Sequence, residues 1–344
     1  MNVEPRSLRP PHVSTRARRP GSRAISLPIA LLVLSPGLAH AESDPQAPAP
    51  RWELPAPRWE LTGSAAGLAR SYEMALPYPD LVPDQRLLQR DVVGALDAAY
   101  FLTPLRDSDA PRSLLPFLQR TSVVYLGAGA VASEFRASDP YGFEPERVTN
   151  SSRLFVRSGI DAYVLPSLAL TGRADYTYGV TPATSTSYHE VSGSVGLGVR
   201  VGDSRLDLRY SLLVPVFQGT AVTPIRWGTL GLTEQVVLAT RVSLRASGEL
   251  LHHGAHGGAE LWYYPTNQLG ISAGGFAGRA AYYWSSELVR DRFGGSTGAS
   301  VWVAPSVKVS ASYELTFEKP DKDPRLFFFD SHTHVVNVRV SVRL

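Results

Sequence analysis

From about residue 59 the chain alternates apolar and polar side chains with a period of two, which gives a β-strand two different faces. The clearest run is Val307 to Glu318, with Val307, Val309, Ala311, Tyr313, Leu315 and Phe317 on one face. Lys308, Ser310, Ser312, Glu314, Thr316 and Glu318 fall on the other. Residues 241–250 set Val242, Leu244, Ala246, Gly248 and Leu250 against Arg241, Ser243, Arg245, Ser247 and Glu249. Residues 168–178, 205–214 and 336–344 repeat the pattern.

Candidate strands fall at 59–73, 87–104, 121–134, 152–165, 168–180, 186–202, 205–216, 226–239, 241–253, 257–265, 269–284, 294–304, 306–318 and 331–344. Many reach or exceed the 9–11 residues or so that cross a bilayer at a tilt, about double a usual soluble strand. Joints at Pro166-Ser167, Asp203-Ser204, Thr240, Thr266-Asn267 and Pro305 are tight. Those at 135–151, 217–225, 285–293 and 319–330 are longer and polar. Tight and long joints alternate, as the periplasmic turns and outer loops of a membrane barrel do. The segment 105–120 is an exception on the turn side and predicts a small helix tucked under the barrel. The fold expected is all-β: a transmembrane antiparallel up-and-down β-barrel of about 14 strands, with 12 and 16 as the neighbouring even counts. Aromatics at Tyr176, Tyr178, Trp262-Tyr263-Tyr264, Tyr282-Tyr283-Trp284 and Phe327-Phe328-Phe329 are expected to form girdles at the lipid–water boundary.

Composition sharpens this picture at the N-terminus. The whole chain of 344 residues has a formal charge of +3. Residues 1–41, however, hold six arginines against the single acid Glu4, which leaves 28 basic and 30 acidic residues in the remainder. Arginines, the apolar run Ala24–Leu34, a break at Ser35-Pro36-Gly37 and the small residues Ala39 and Ala41 read as a signal peptide cut between Ala41 and Glu42. Export by the general secretory pathway is therefore expected. The organisation expected is 1–41 signal peptide, 42–58 a Pro/Ala-rich periplasmic or lumenal segment, and 59–344 the barrel. There is no cysteine, so thiolate metal sites, a cysteine nucleophile and a lipidated cysteine are excluded.

A leader followed by amphipathic strands and a final run Val340-Ser341-Val342-Arg343-Leu344 resembles Gram-negative outer-membrane β-barrel proteins. In that group the last strand is the assembly signal and usually closes on an aromatic, which is absent here. Over about 99–130, Ala99-Tyr100-Phe101-Leu102-Thr103-Pro104-Leu105, Asp109-Ala110-Pro111 and Leu115-Pro116-Phe117-Leu118-Gln119-Arg120 look like the strand–turn–strand of uncharacterised putative porins. The resemblance implies residence in the cell outer membrane, contact with its lipids and lipopolysaccharide, and insertion by the barrel assembly machinery. It transfers no catalytic residue.

Candidate chemistry is sparse. His252, His253 and His256, followed by Glu260, have metal-compatible spacing but read better as a polar outer loop. Asp330, His332 and His334 sit near the outer rim, and Ser247 with His252 or Asp330 with His332 are the available hydrolase-like pairs. The run Gly193-Ser194-Val195-Gly196-Leu197-Gly198 precedes no helix, so its glycines read as room for packing in a barrel wall. No basic, aromatic-interleaved patch calls for nucleic acid, and no cofactor is expected. The residues expected to line a pore are Arg157, Asp161, Arg173, Asp175, Asp207, Arg209, Arg245, Glu249, Lys308, Glu314 and Arg339. They serve either as a charged ring that tunes ion preference or as cross-strand bracing. The leading expectation is a passive porin-like channel for small hydrophilic solutes, leaning toward anions. The alternatives are a barrel hydrolase, or a structural or adhesive barrel with a plugged lumen.

Overall fold

Fourteen strands form, each hydrogen-bonded to its chain neighbours in antiparallel fashion, and the first also pairs with the last. The computed structural model describes residues 56–75, 85–106, 108–138, 147–181, 186–217, 227–251, 254–282, 285–320 and 328–344. The strands are β1 Trp59–Ala75, β2 Gln85–Phe101, β3 Val123–Ser138, β4 Arg147–Leu165 and β5 Leu168–Thr181. They continue as β6 Thr186–Val201, β7 Ser204–Phe217, β8 Trp227–Ala239, β9 Val242–Leu251 and β10 Gly254–Tyr263. The circuit is completed by β11 Leu269–Tyr282, β12 Ser285–Ala304, β13 Val307–Pro320 and β14 Phe328–Arg343. Pairing of β1 with β14 runs from Glu60 opposite Arg343 to Ala75 opposite Phe328. No edge is left, so the wall satisfies its own backbone groups, as lipid demands.

Side-chain burial is inverted relative to a soluble protein. Leu96 is 72% exposed and Val195 67%, and Val92, Leu126, Leu208, Val303 and Val338 share the outer surface. An exposed apolar area this extensive would aggregate in water and is the solvated surface of a barrel in a bilayer. The buried apolar residues Phe101, Leu105, Leu114, Leu115, Ala169, Tyr264 and Trp302 gather at the end of the barrel that carries the tight turns.

Those turns fall where the proline and polar pairs predict them, at 166–167, 202–203, 240–241, 264–268 and 305–306. Gly202 adopts a positive φ of 60°, the conformation a two-residue hairpin needs. Register shifts just before three of these turns, at Tyr163/Leu165, Val237/Ala239 and Trp302/Ala304, add local twist.

Three expectations change. Residues 285–293 are not a loop but the start of β12, and β3 and β4 extend to Ser138 and Arg147, so the 135–151 connection shortens to 139–146. The apolar pattern is weak over 285–293 because Glu287, Arg290, Asp291 and Arg292 interrupt the two-residue alternation. The run Trp262-Tyr263-Tyr264 does not sit wholly in a girdle. Tyr263 faces out, whereas Trp262 and Tyr264 face the lumen and stack with centroids 6.1 Å apart. The signal peptide, the Ala41/Glu42 cleavage position, residues 42–55, His252 and His253 lie outside the described residues, as do the side chains of Tyr282-Tyr283-Trp284 and Phe327-Phe328-Phe329.

Candidate functional site

Alternation along the strands places Arg157, Asp161, Arg173, Asp175, Asp207, Arg209, Arg245, Glu249, Lys308, Glu314 and Arg339 on the lumen face. They divide into two groups. Across β2–β7 most charges are paired, with Arg173 on β5 and Arg209 on β7 as exceptions. Arg157 grips Asp97 in a bidentate pair, with Nε donating to Oδ1 at 2.7 Å. Arg205 donates to both oxygens of Asp161, at 2.9 and 3.0 Å, to Asp207 Oδ1 at 2.8 Å and to the Tyr163 hydroxyl at 3.2 Å. Arg153 lies 3.6 Å from buried Asp91. These pairs lie over glycines. A Cβ at Gly127 would sit 2.0 Å from Asp97 Oδ1, and one at Gly198 2.4 Å from Asp207 Oδ1. Only glycine lets the ion pairs lie flat on the wall.

The wall from β9 to β14 is lined differently. One register row runs Ser243, Trp262, Ser272, Gly298, Ser312, Asn337. A neighbouring row runs Gly270, Ser300, Ser310, Arg339. Short side chains leave a polar cavity of about 450 Å³, into which Arg245, Glu260, Lys308 and Arg339 also project. Among the described residues Arg173, Arg209, Arg245 and Arg339 have no carboxylate within 4.0 Å. Lys308 differs, since it shares Glu60 with Arg343, at 3.4 and 2.7 Å. Glu314 Oε1 accepts from Thr316 at 3.0 Å.

The segment 102–122 folds across the turn-end mouth. It contains a 3-10 turn, Arg112–Leu114, and a single helical turn α1, Leu115–Leu118, with Pro116 inside the first turn where its missing N–H costs nothing. Its contacts reach around the barrel. Trp302 Nε1 on β12 donates to Ser113 Oγ at 3.3 Å, and Arg343 on β14 donates to the Arg112 carbonyl at 3.2 Å. The Arg112 amide donates to the Asn267 carbonyl in the β10–β11 turn at 3.1 Å. Arg200 on β6 donates to the Phe117 carbonyl and lies 4.4 Å over its ring. Arg120 reaches the Pro166 carbonyl of the β4–β5 turn at 3.2 Å. The predicted small helix is therefore present, but inserted into the mouth rather than tucked beneath it. Ser113 and Leu114 form the floor of the polar cavity.

Most of these partners are invisible along the chain. Arg205, Asp97, Glu60, Arg343, Arg200 and Trp302 acquire their roles from cross-barrel proximity over separations of up to 283 residues. Their only local signal is a charged or aromatic residue on the polar phase of an alternating strand.

Among the described residues no group of three potential metal ligands occurs. His256 lies in β10 rather than in a loop and faces Glu249 across the strand pair, 3.4 Å away. Residues 254–256 pair with 249–251, so the strand continues where polarity suggested a loop. His332 and His334 face outward, edge to face at 5.5 Å, and Nδ1 of His334 shares a 2.7 Å hydrogen bond with the Tyr313 hydroxyl. The Tyr176 hydroxyl and His189 make a similar outer-surface pair at 2.6 Å. Amphipathic rings of this kind suit the lipid–water boundary. Asp330 and His332 share no hydrogen bond.

No family model matches the chain, and no curated protein does. Solved structures do. The TodX monoaromatic hydrocarbon channel (a deltaS2 mutant) superposes with a TM-score of 0.54 at 11% identity, over 84% of this chain and 91% of that one. TodX is the toluene transporter of Pseudomonas putida. A FadL homologue of Pseudomonas aeruginosa gives 0.52 at 10% identity, over 83% and 90%. Outer membrane protein Omp33 of Acinetobacter baumannii gives 0.45 at 13% identity, over 84% and 98%. With its lipid-facing surface, closed strand circuit and polar lumen, the chain has the fold of Gram-negative outer-membrane β-barrels.

Proposed function

We propose that this barrel is an outer-membrane channel for small hydrophilic solutes, with a preference for anions. The observation that carries the reading is the division of the lumen. One side is braced by ion pairs, and the other is a Ser- and Gly-lined passage into which Arg245 and Arg339 project with no carboxylate within 4.0 Å among the described residues. Rings of charge facing a pore set ion preference. Barrels of this fold include proteins described as channels and transporters, which supports the channel class. The Ser, Asn and Arg lining favours hydrophilic cargo over a hydrocarbon. The chain reaches the membrane through the general secretory route, with cleavage before Glu42, and is inserted by the barrel assembly machinery among lipopolysaccharide and phospholipid. Intact-mass measurement of the exported protein checks the cleavage.

Purified protein in a planar bilayer should give discrete conductance steps whose reversal potential in a salt gradient favours chloride. A silent bilayer overturns the reading. The second reading is a barrel with a permanently plugged lumen, favoured by the contacts that tie 102–122 to β6, β12 and β14. It predicts silence with that segment in place and conductance once the segment is removed.

A further inference from the structure

We propose that the cavity between β9 and β14 is a binding site for a small polyhydroxylated anion, seated directly on the 102–122 plug. The inference rests on the channel reading and names the class of solute. Its volume, about 450 Å³, lies in the range of small-ligand sites. The lining supplies three kinds of chemistry that converge on one class of molecule.

The first is charge. Arg245 and Arg339 project into the cavity with no carboxylate within 4.0 Å among the described residues, and Lys308 adds a third cation that it shares with Glu60. Against them stands Glu260, on β10 directly opposite Arg245 in register but beyond ion-pair distance. The surplus is positive and suits one carboxylate or phosphate held by guanidinium forks.

The second is an unmet demand for hydrogen bonds. Ser300 is 5% exposed, and its Oγ has no partner. The Oδ1 atom of Asn337 is likewise buried without a donor. Buried polar atoms are as a rule hydrogen-bonded, so both atoms call for a partner. Asn337 Oδ1 can only accept, so its partner must carry a hydrogen. An anion with no hydrogen of its own, such as chloride, offers none, whereas a hydroxyl does. Ser243, Ser310 and Ser312 extend the same hydroxyl-matching wall.

The third is the stacked pair Trp262 and Tyr264, 16° from parallel. Aromatic faces carry partial negative charge and attract the C–H edges of a saturated ring or chain. Hydroxyls for Asn337 and Ser300, a C–H face for the indole and one negative group for the arginines together describe a sugar acid or a sugar phosphate.

Tryptophan fluorescence of the folded full-length protein in detergent reads occupancy, because Trp262 lines the site and Trp302 touches its floor. Three probes are titrated: gluconate, glucose 6-phosphate and glucose. Saturable binding of gluconate or glucose 6-phosphate, at least tenfold tighter than glucose, supports the site, and whichever binds tighter fixes carboxylate or phosphate. Arg245→Gln and Arg339→Gln together should weaken that anion at least tenfold, and Arg339→Lys should recover part of the loss. Heat-modifiable migration on a semi-native gel confirms that each variant is folded. Asn337→Ala provides a second measurement, with a loss for the sugar anion but none for acetate. Equal affinity for glucose, or no saturable binding, overturns the site. Conductance measured on the same preparation tests the channel reading separately: steps without binding overturn the site alone, and binding without steps overturns the channel alone.

Discussion

The two halves of the lumen use the same alternating strands for opposite ends. Between β2 and β7 most inward charges are braced, Arg157 on Asp97, Arg205 on Asp161 and Asp207, and Arg153 on Asp91, with Gly127 and Gly198 beneath two of the pairs, so the wall is cross-linked. Between β9 and β14 most of the inward positions carry serine and glycine, and the space stays open. Nothing in the backbone dictates the difference, since register and pairing are continuous around the circuit. Side-chain length alone decides which part of the wall is a brace and which a passage. Net lumenal charge is therefore a poor guide to selectivity, because neutralised pairs contribute structure and the unpaired arginines contribute the field.

The largest test of this contrast is to add bulk under a brace. Gly127→Val should force Asp97 and Arg157 apart and cost about 3 kcal/mol, read as a lowered urea midpoint of the refolded barrel. Gly298→Ala in the open half meets the Ser272 hydroxyl at 2.9 Å, with the Ala311 carbonyl and Ser312 Cβ at ordinary contact distance, and should cost under about 1 kcal/mol. Comparable losses at both positions would erase the distinction.

Opening the mouth comes next. Replacing residues 106–118 with a short Gly/Ser linker should raise single-channel conductance several-fold while leaving the barrel heat-modifiable. Unchanged conductance would mean that the segment does not limit the passage. A smaller effect separates field from framework. Arg245→Glu with Arg339→Glu should turn the reversal potential toward cations. Removing the neutral pair by Asp97→Asn with Arg157→Gln should leave selectivity unaltered and lower stability only. The smallest change lies outside both halves. Tyr313→Phe deletes the bond to His334 at the lipid boundary, with an expected cost of about 0.5–1 kcal/mol and no change in current.

Fourteen strands and the closed circuit were legible because lipid and water impose a strict alternation on every residue between the two interfaces. Where that constraint ends, so did the reading. Residues 285–293 continue as strand without an apolar phase, and His256 joins a ladder that its polarity had assigned to a loop. The lumen was legible as a list of inward residues but not as two halves, because pairing depends on strands distant in sequence. Arg205 meets Asp161 across 44 residues and Tyr163 across 42. Trp262 and Tyr264 read as girdle residues because aromatics at a strand end suit both environments. Only the phase of β10, fixed by its exposed neighbours Leu261 and Tyr263, places them inside.

The contact between Glu60 and Arg343 has a consequence for how the barrel comes together. It joins the beginning of β1 to the end of β14, the most distant strands in the chain, and it lies on the lumen side of the seam. A slip of one residue in that register would turn one of the two charges toward lipid and leave the other unpaired in the lumen. The pair therefore favours this register of the seam over its neighbours. In the frame that hides the two charges together, Arg343 also reaches the Arg112 carbonyl, so that correct closure also seats the plug.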